Sequence, residues 1–81
     1  MNREELAKKA KVIIWIPDAD GEGERTMYRF DPPKGAPRYY LCIGRTARPR
    51  RFNPVFVGMY VSMAKLTPGG KIHVEEGEDQ K

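Results

Sequence analysis

A chain of 81 residues with 15 basic and 11 acidic side chains, net charge +4, has room for one domain and one modest core. Its single cysteine, Cys42, excludes an internal disulfide and leaves no second thiol for a zinc site. The longest apolar run, residues 12–16, is too short to span a membrane, and the charged N-terminus lacks a signal peptide's apolar region, so the expectation is a cytoplasmic protein.

In chain order, Asn2 is placed to cap a short helix with Glu5 as its reciprocal partner, and Leu6 and Ala10 form a narrow apolar stripe along it. "VIIWI" (12–16) holds four β-branched residues, which predicts a central strand with Trp15 substantially buried. "RTMYRF" (25–30) alternates, with Thr26, Tyr28 and Phe30 on one face and Met27 and Arg29 on the other. "DPPKGAP" reads as a rigid loop, and "RYYLCIGRT" (38–46) as a strand apolar on both faces, with Cys42 in the core. "ARPRRFNP" (47–54) is expected to be a loop. Residues 55–66 are expected to form a strand bent at Gly58, with Val55, Val57, Met59, Val61 and Met63 on one face. A turn at 67–70 then leads to a last strand at 71–75.

The expected fold is therefore mainly β with an α+β character. A short N-terminal helix precedes a five-stranded small antiparallel barrel or strongly bent sheet. Residues 1–75 make the domain, and 76–81 form a disordered acidic tail. Three amides (Asn2, Asn53 and Gln80) against 32% charged residues and seven prolines fit a thermophile's usage.

Two stretches carry candidate chemistry. In "IPDADGEGER", Asp18, Asp20, Glu22 and Glu24 stand at every second position. "VIIWIPDADGEGE" locally resembles the metal-binding segment of the toprim domain of topoisomerases and primases. There an apolar strand leads into an Asp-x-Asp pair, often followed by Glu-Gly-Glu. The resemblance implies magnesium held by Asp18, Asp20 and Glu22 or Glu24 against a phosphodiester. The remainder of the chain departs from that family. Only Glu4 and Glu5 precede the motif, where an acidic strand belongs, and strand followed by proline replaces the helix that should come after it. "DADGE" also resembles the opening of an EF-hand, but position 12 of that loop falls on Arg29. The expectation is a charged hairpin connection with Gly21 and Gly23 at positive φ, holding neither metal nor cofactor.

From residue 32 to residue 74 there are eight basic side chains and no acidic one. Within that span, "GRTARPRRF" places Arg45, Arg48, Arg50 and Arg51 together and ends on Phe52. Guanidinium groups bind phosphate in a fork and stack on bases. Tyr39, Tyr40, Phe52, Phe56 and Tyr60 could supply stacking surfaces, and Tyr40 and Phe52 are expected to be partly exposed. The pattern predicts a nucleic-acid-binding protein for DNA or RNA, in which Arg45, Arg48, Arg50 and Arg51 clamp phosphates. Arg38 and Lys65 would add charge from adjacent strands. An adaptor or inhibitor, of viral or mobile-element origin, docking on an acidic protein is the alternative, and a homodimer fits either reading. Convergence of the arginines on one face would favour nucleic acid, and dispersal over opposite faces would count heavily against it. His73 and Ser62 have no triad partners near them in sequence, so no enzyme is expected.

Overall fold

The computed structural model describes residues 2–18, 23–44 and 48–73. In chain order they form helix α1 (Arg3–Lys9), strands β1 (Lys11–Ile16), β2 (Arg25–Phe30), β3 (Arg38–Ile43) and β4 (Arg50–Phe52), a 3₁₀ turn (Pro54–Phe56), helix α2 (Val57–Leu66) and strand β5 (Lys71–Ile72). The five strands make one antiparallel sheet in the order β4-β3-β2-β1-β5. It is an open sheet with β4 and β5 as its edges, so of the two expected forms the closed barrel is excluded.

The expected capping box starts α1. The Glu5 N–H donates to Asn2 Oδ1 at 2.8 Å, and the Asn2 N–H donates to Glu5 Oε1 at 3.0 Å. Seven residues are too few for a helix to persist alone. Leu6, wholly buried, docks α1 against Tyr28, Tyr40 and Cys42 on one face of the sheet. Arg3 adds a tether at the far end of β2 and β3, donating to the Gly44 carbonyl at 2.8 Å and standing 3.7 Å from Glu24.

The opposite face carries Ile14, Ile16, Met27 and Leu41, covered by α2 with Ala64 at the contact. Strands β2 and β3 are thus buried on both faces, which explains the unbroken apolar run in β3. Cys42 is fully buried, as expected. Burial raises its thiol pKa, and the Arg3 guanidinium offsets only part of that.

The expected strand over 55–66 is instead the 3₁₀ turn followed by α2. Asn53 Oδ1 accepts the Val55 N–H at 3.0 Å and Pro54 occupies the first turn, a helix start that outweighs the β-branched content. Gly58 lies inside this helix and marks no bend of a strand. Thr67 closes it, its hydroxyl donating to the Met63 carbonyl at 2.8 Å. The fifth strand of the sheet is instead β4, cut from the segment expected to be a loop.

β1 lies inside the sheet, as expected, but Trp15 is only half-buried. Val12 faces Tyr28 and Ile14 faces Met27, so Ile13 is an extra residue in a bulge. The bulge lets Ile13, Ile14 and Ile16 all enter the α2-side core. Trp15 takes the other face, where the Lys71 ammonium stands 5.9 Å from its ring centre. β5 adds to this strand through Ile72 opposite Ile14, and the His73 N–H donates to the Ile13 carbonyl at 2.7 Å. Residues 74 and 75 of the expected last strand, and the expected tail, lie outside the described residues.

Candidate functional site

The acidic stretch connects β1 to β2, which pair antiparallel with Ile16 opposite Arg25, so it is a hairpin connection. Gly23 takes the expected positive φ, at 96°. Asp18 is exposed, and Glu24 pairs with Arg3. Asp20, Gly21 and Glu22 lie outside the described residues. Among the described residues no three acidic, histidine or cysteine side chains come together as a metal cluster. No described helix is long and apolar enough to cross a membrane.

The basic residues are distributed by the geometry of β4. This strand pairs with β3 through Leu41 opposite Arg50, Tyr40 opposite Arg51 and Tyr39 opposite Phe52. Facing residues share a side of the sheet and successive residues alternate. Arg50 and Phe52 therefore lie on the α2 side, with Leu41, and Arg51 on the α1 side, with Tyr40. Arg38, opposite Phe30, also belongs to the α1 side, at the other end of β3. Lys65 is exposed on the last turn of α2, a helix packed over β1 and β5, and so is not on a strand beside β4. Arg45 lies outside the described residues. The described candidates do not converge on one flat basic face. They straddle an edge.

The aromatic candidates divide as well. Tyr40 is buried, contrary to expectation, because α1 covers it. The Arg51 guanidinium lies 5.9 Å from its ring centre, an exposed cation over a buried ring. Phe52 is half-buried in an edge-to-face cluster, 5.1 Å from Tyr60 and 6.2 Å from Phe56 between ring centres. That packing joins β4 to α2. Of the three rings, Phe56 is the exposed one.

On the α2 side, a recess of about 330 Å³ is lined by Leu41, Ile43, Arg48 and Arg50. Its origin is a strand that stops early. Antiparallel pairing of Leu41 with Arg50 would next bring Arg48 opposite Ile43, but the ladder ends at Arg50. Pro49 has no N–H to extend it. Among the described residues Ile43 therefore has no strand partner on its β4 side, and it is 42% exposed, an apolar floor beside two arginines. Arg25, opposite Ile43 on β2, shares this side of the sheet. Sequence reading found the two arginines but missed Leu41, Ile43 and Arg25. The signal for Leu41 and Ile43 was their two-residue spacing, which matches that of Arg48 and Arg50.

Chemically, the recess offers an apolar surface to a planar or aliphatic group and guanidinium donors to an anion. Arg50 and Arg51 also bear charge on an open sheet edge, which discourages stray strand pairing. The three kinds of comparison made, with family models, curated proteins and solved structures, gave no match to this chain.

Proposed function

We propose that this is a cytoplasmic nucleic-acid-binding protein that grips a single strand of DNA or RNA at the β4 edge with weak sequence preference. The observation that carries this reading is the recess, where Leu41 and Ile43 form an apolar floor beside Arg48 and Arg50. A base lies flat on such a floor while its flanking phosphates meet guanidinium forks. The dispersal of Arg50 and Arg51 to opposite sides of the sheet counts against a nucleic acid laid on one basic face, and the reading kept is the narrower one of a single strand along the rim. A duplex docks on a broad face, whereas a single strand following a rim meets Arg48 and Arg50 on one side and Arg51 on the other. Phe56, the exposed ring of the aromatic cluster, offers a further stacking surface.

Three phosphate contacts on a single strand give a slope of about −2 in log affinity against log salt. Raising salt from about 50 to 200 mM then weakens binding roughly 15- to 20-fold. Fluorescence anisotropy with labelled single- and double-stranded DNA and RNA over that range is the test. Single strands should bind more tightly than duplex. No binding below about 100 μM at low salt, with any of the four, overturns the reading.

One observation favours a second reading. β4 is an open edge with alternating basic side chains, and an extended acidic segment of another protein can add to such an edge as a strand. The protein would then be an adaptor or inhibitor docking on an acidic partner. Binding of an acidic peptide where all four nucleic acids fail would favour it.

A further inference from the structure

Residues 54–64 contain no charged side chain. The inward side of α2 accounts for part of this, since Val57, Tyr60, Val61 and Ala64 pack against the sheet. The outward side is apolar too. Val55 is 73% exposed, Met59 53% and Leu66 85%, with exposed Ser62 between the last two. A helix that is apolar all round is normally buried all round. Gly58 is a second, independent anomaly. It weakens a helix interior, its φ is not positive, and a side chain there would meet nothing in this chain.

We propose that this outward face is a self-association surface, on which α2 of a second copy packs antiparallel across a two-fold axis. The spacing of the exposed residues is what selects a second copy. Met59, Ser62 and Leu66 of α2 are separated by three and four positions, the pattern of a helix–helix seam, and Val55, in the 3₁₀ turn just before α2, extends it by four more. That pattern reads the same in both directions. A two-fold axis midway between residues 60 and 61 sets Val55 against Leu66 of the second copy, and Met59 against its Ser62. The large Met59 then meets the small Ser62, as interdigitation requires, and Val55 meets Leu66 in apolar contact. Gly58 falls beside the Lys65 stem of the second copy, where a larger side chain would crowd the approach.

Charge points the same way. Copies carrying +4 each repel, which favours contact through a neutral surface, and this face has one charge, Lys65, at its end. A membrane-surface helix would flank its apolar stripe with several basic residues, which are missing here. The exposed apolar area sums to on the order of 1,000 Å² over two copies, at the low end for a specific interface, so the dimer is a weak one.

Sedimentation velocity of the full chain from about 5 to 500 μM tests this, with a dissociation constant expected in the micromolar range. Met59→Glu should be monomeric throughout, with a thermal midpoint equal to that of wild type at concentrations where wild type is monomeric, because Met59 is exposed, and Leu66→Glu should behave alike. The two-fold pairing makes a sharper demand. Chains carrying Met59→Glu and chains carrying Ser62→Lys, mixed in equal amounts, should form a heterodimer, since the new charges face each other. A wild type that stays monomeric at 500 μM overturns the proposal, as does a dimer that survives Met59→Glu. Failure of the mixture to associate while wild type dimerises overturns the antiparallel register.

Discussion

Leu6 is the one buried residue of α1, and its removal tests how this helix is held. The helix has seven residues, so its own hydrogen bonds and capping box cannot sustain it without docking. The Leu6 side chain is wholly buried against Tyr28, Tyr40 and Cys42. Replacing such a leucine by alanine costs about 3–4 kcal/mol, the lost transfer energy plus the cavity left behind. An 81-residue domain holds roughly 4–12 kcal/mol in all. Leu6→Ala should therefore lower the thermal midpoint by roughly 15–25 °C. Cys42 supplies a second, local readout because it lies under the same helix. In wild type it should react with a thiol reagent only as fast as the structure opens. A loss of about 3 kcal/mol should speed its labelling on the order of 100-fold under native conditions. Circular dichroism melting and timed thiol labelling are the assays. A midpoint shift below about 5 °C with Cys42 still protected would refute docking through Leu6.

Other consequences follow from particular contacts. Trp15 is half-buried beside Lys71, so its fluorescence should be partly quenched by iodide, and Trp15→Ala should leave a folded protein. Emission typical of a fully buried indole, unaffected by iodide, would contradict the bulge at Ile13. A Cβ at Gly70 would collide with the Ala64 carbonyl oxygen, a backbone atom that cannot move without disturbing the end of α2. Gly70→Ala should cost about 1–3 kcal/mol by chemical denaturation, and a neutral effect would show that the turn is packed otherwise. Folding holds the Cys42 thiol protonated, its pKa raised mainly by burial. Its contribution is therefore complete below the thiol's unfolded pKa and is lost as pH rises through the folded one. The stability of wild type relative to Cys42→Ala should fall between pH 7 and 10, and a constant difference would count against it.

Much of the fold was legible because local signals agreed with one another. Asn2 and Glu5 announced α1, β-branched residues marked β1, and alternation assigned the faces of β2 correctly. The error at residues 55–66 has a specific cause. Val55, Val57, Met59, Val61 and Met63 satisfy a two-residue period, while Val57, Tyr60, Val61 and Ala64 satisfy a helical one. Asn53-Pro54 at the start decided between them. Trp15 was misplaced by a bulge that no residue pattern announces. The arginine cluster was visible as composition, but its shape was not. A three-residue strand sends Arg50 and Arg51 to opposite faces, and only the pairing of β4 with β3 shows this. The recess depended on Pro49 ending that strand, a local feature whose consequence for Ile43 is tertiary.

The central claim, that a single strand seats at the recess beside Arg48 and Arg50, is tested most directly by charge reversal in pairs. Affinity for a short single-stranded oligonucleotide should be measured for wild type, for Arg48→Glu with Arg50→Glu, and for Arg38→Glu with Lys65→Glu. Both pairs change net charge equally and all four positions are exposed. The recess pair should lose at least about 100-fold in affinity, since two attractive phosphate contacts become repulsive, while the distant pair should lose less than about fivefold. Equal losses for the two pairs would mean that only net charge is felt, and would contradict a site at the β4 edge.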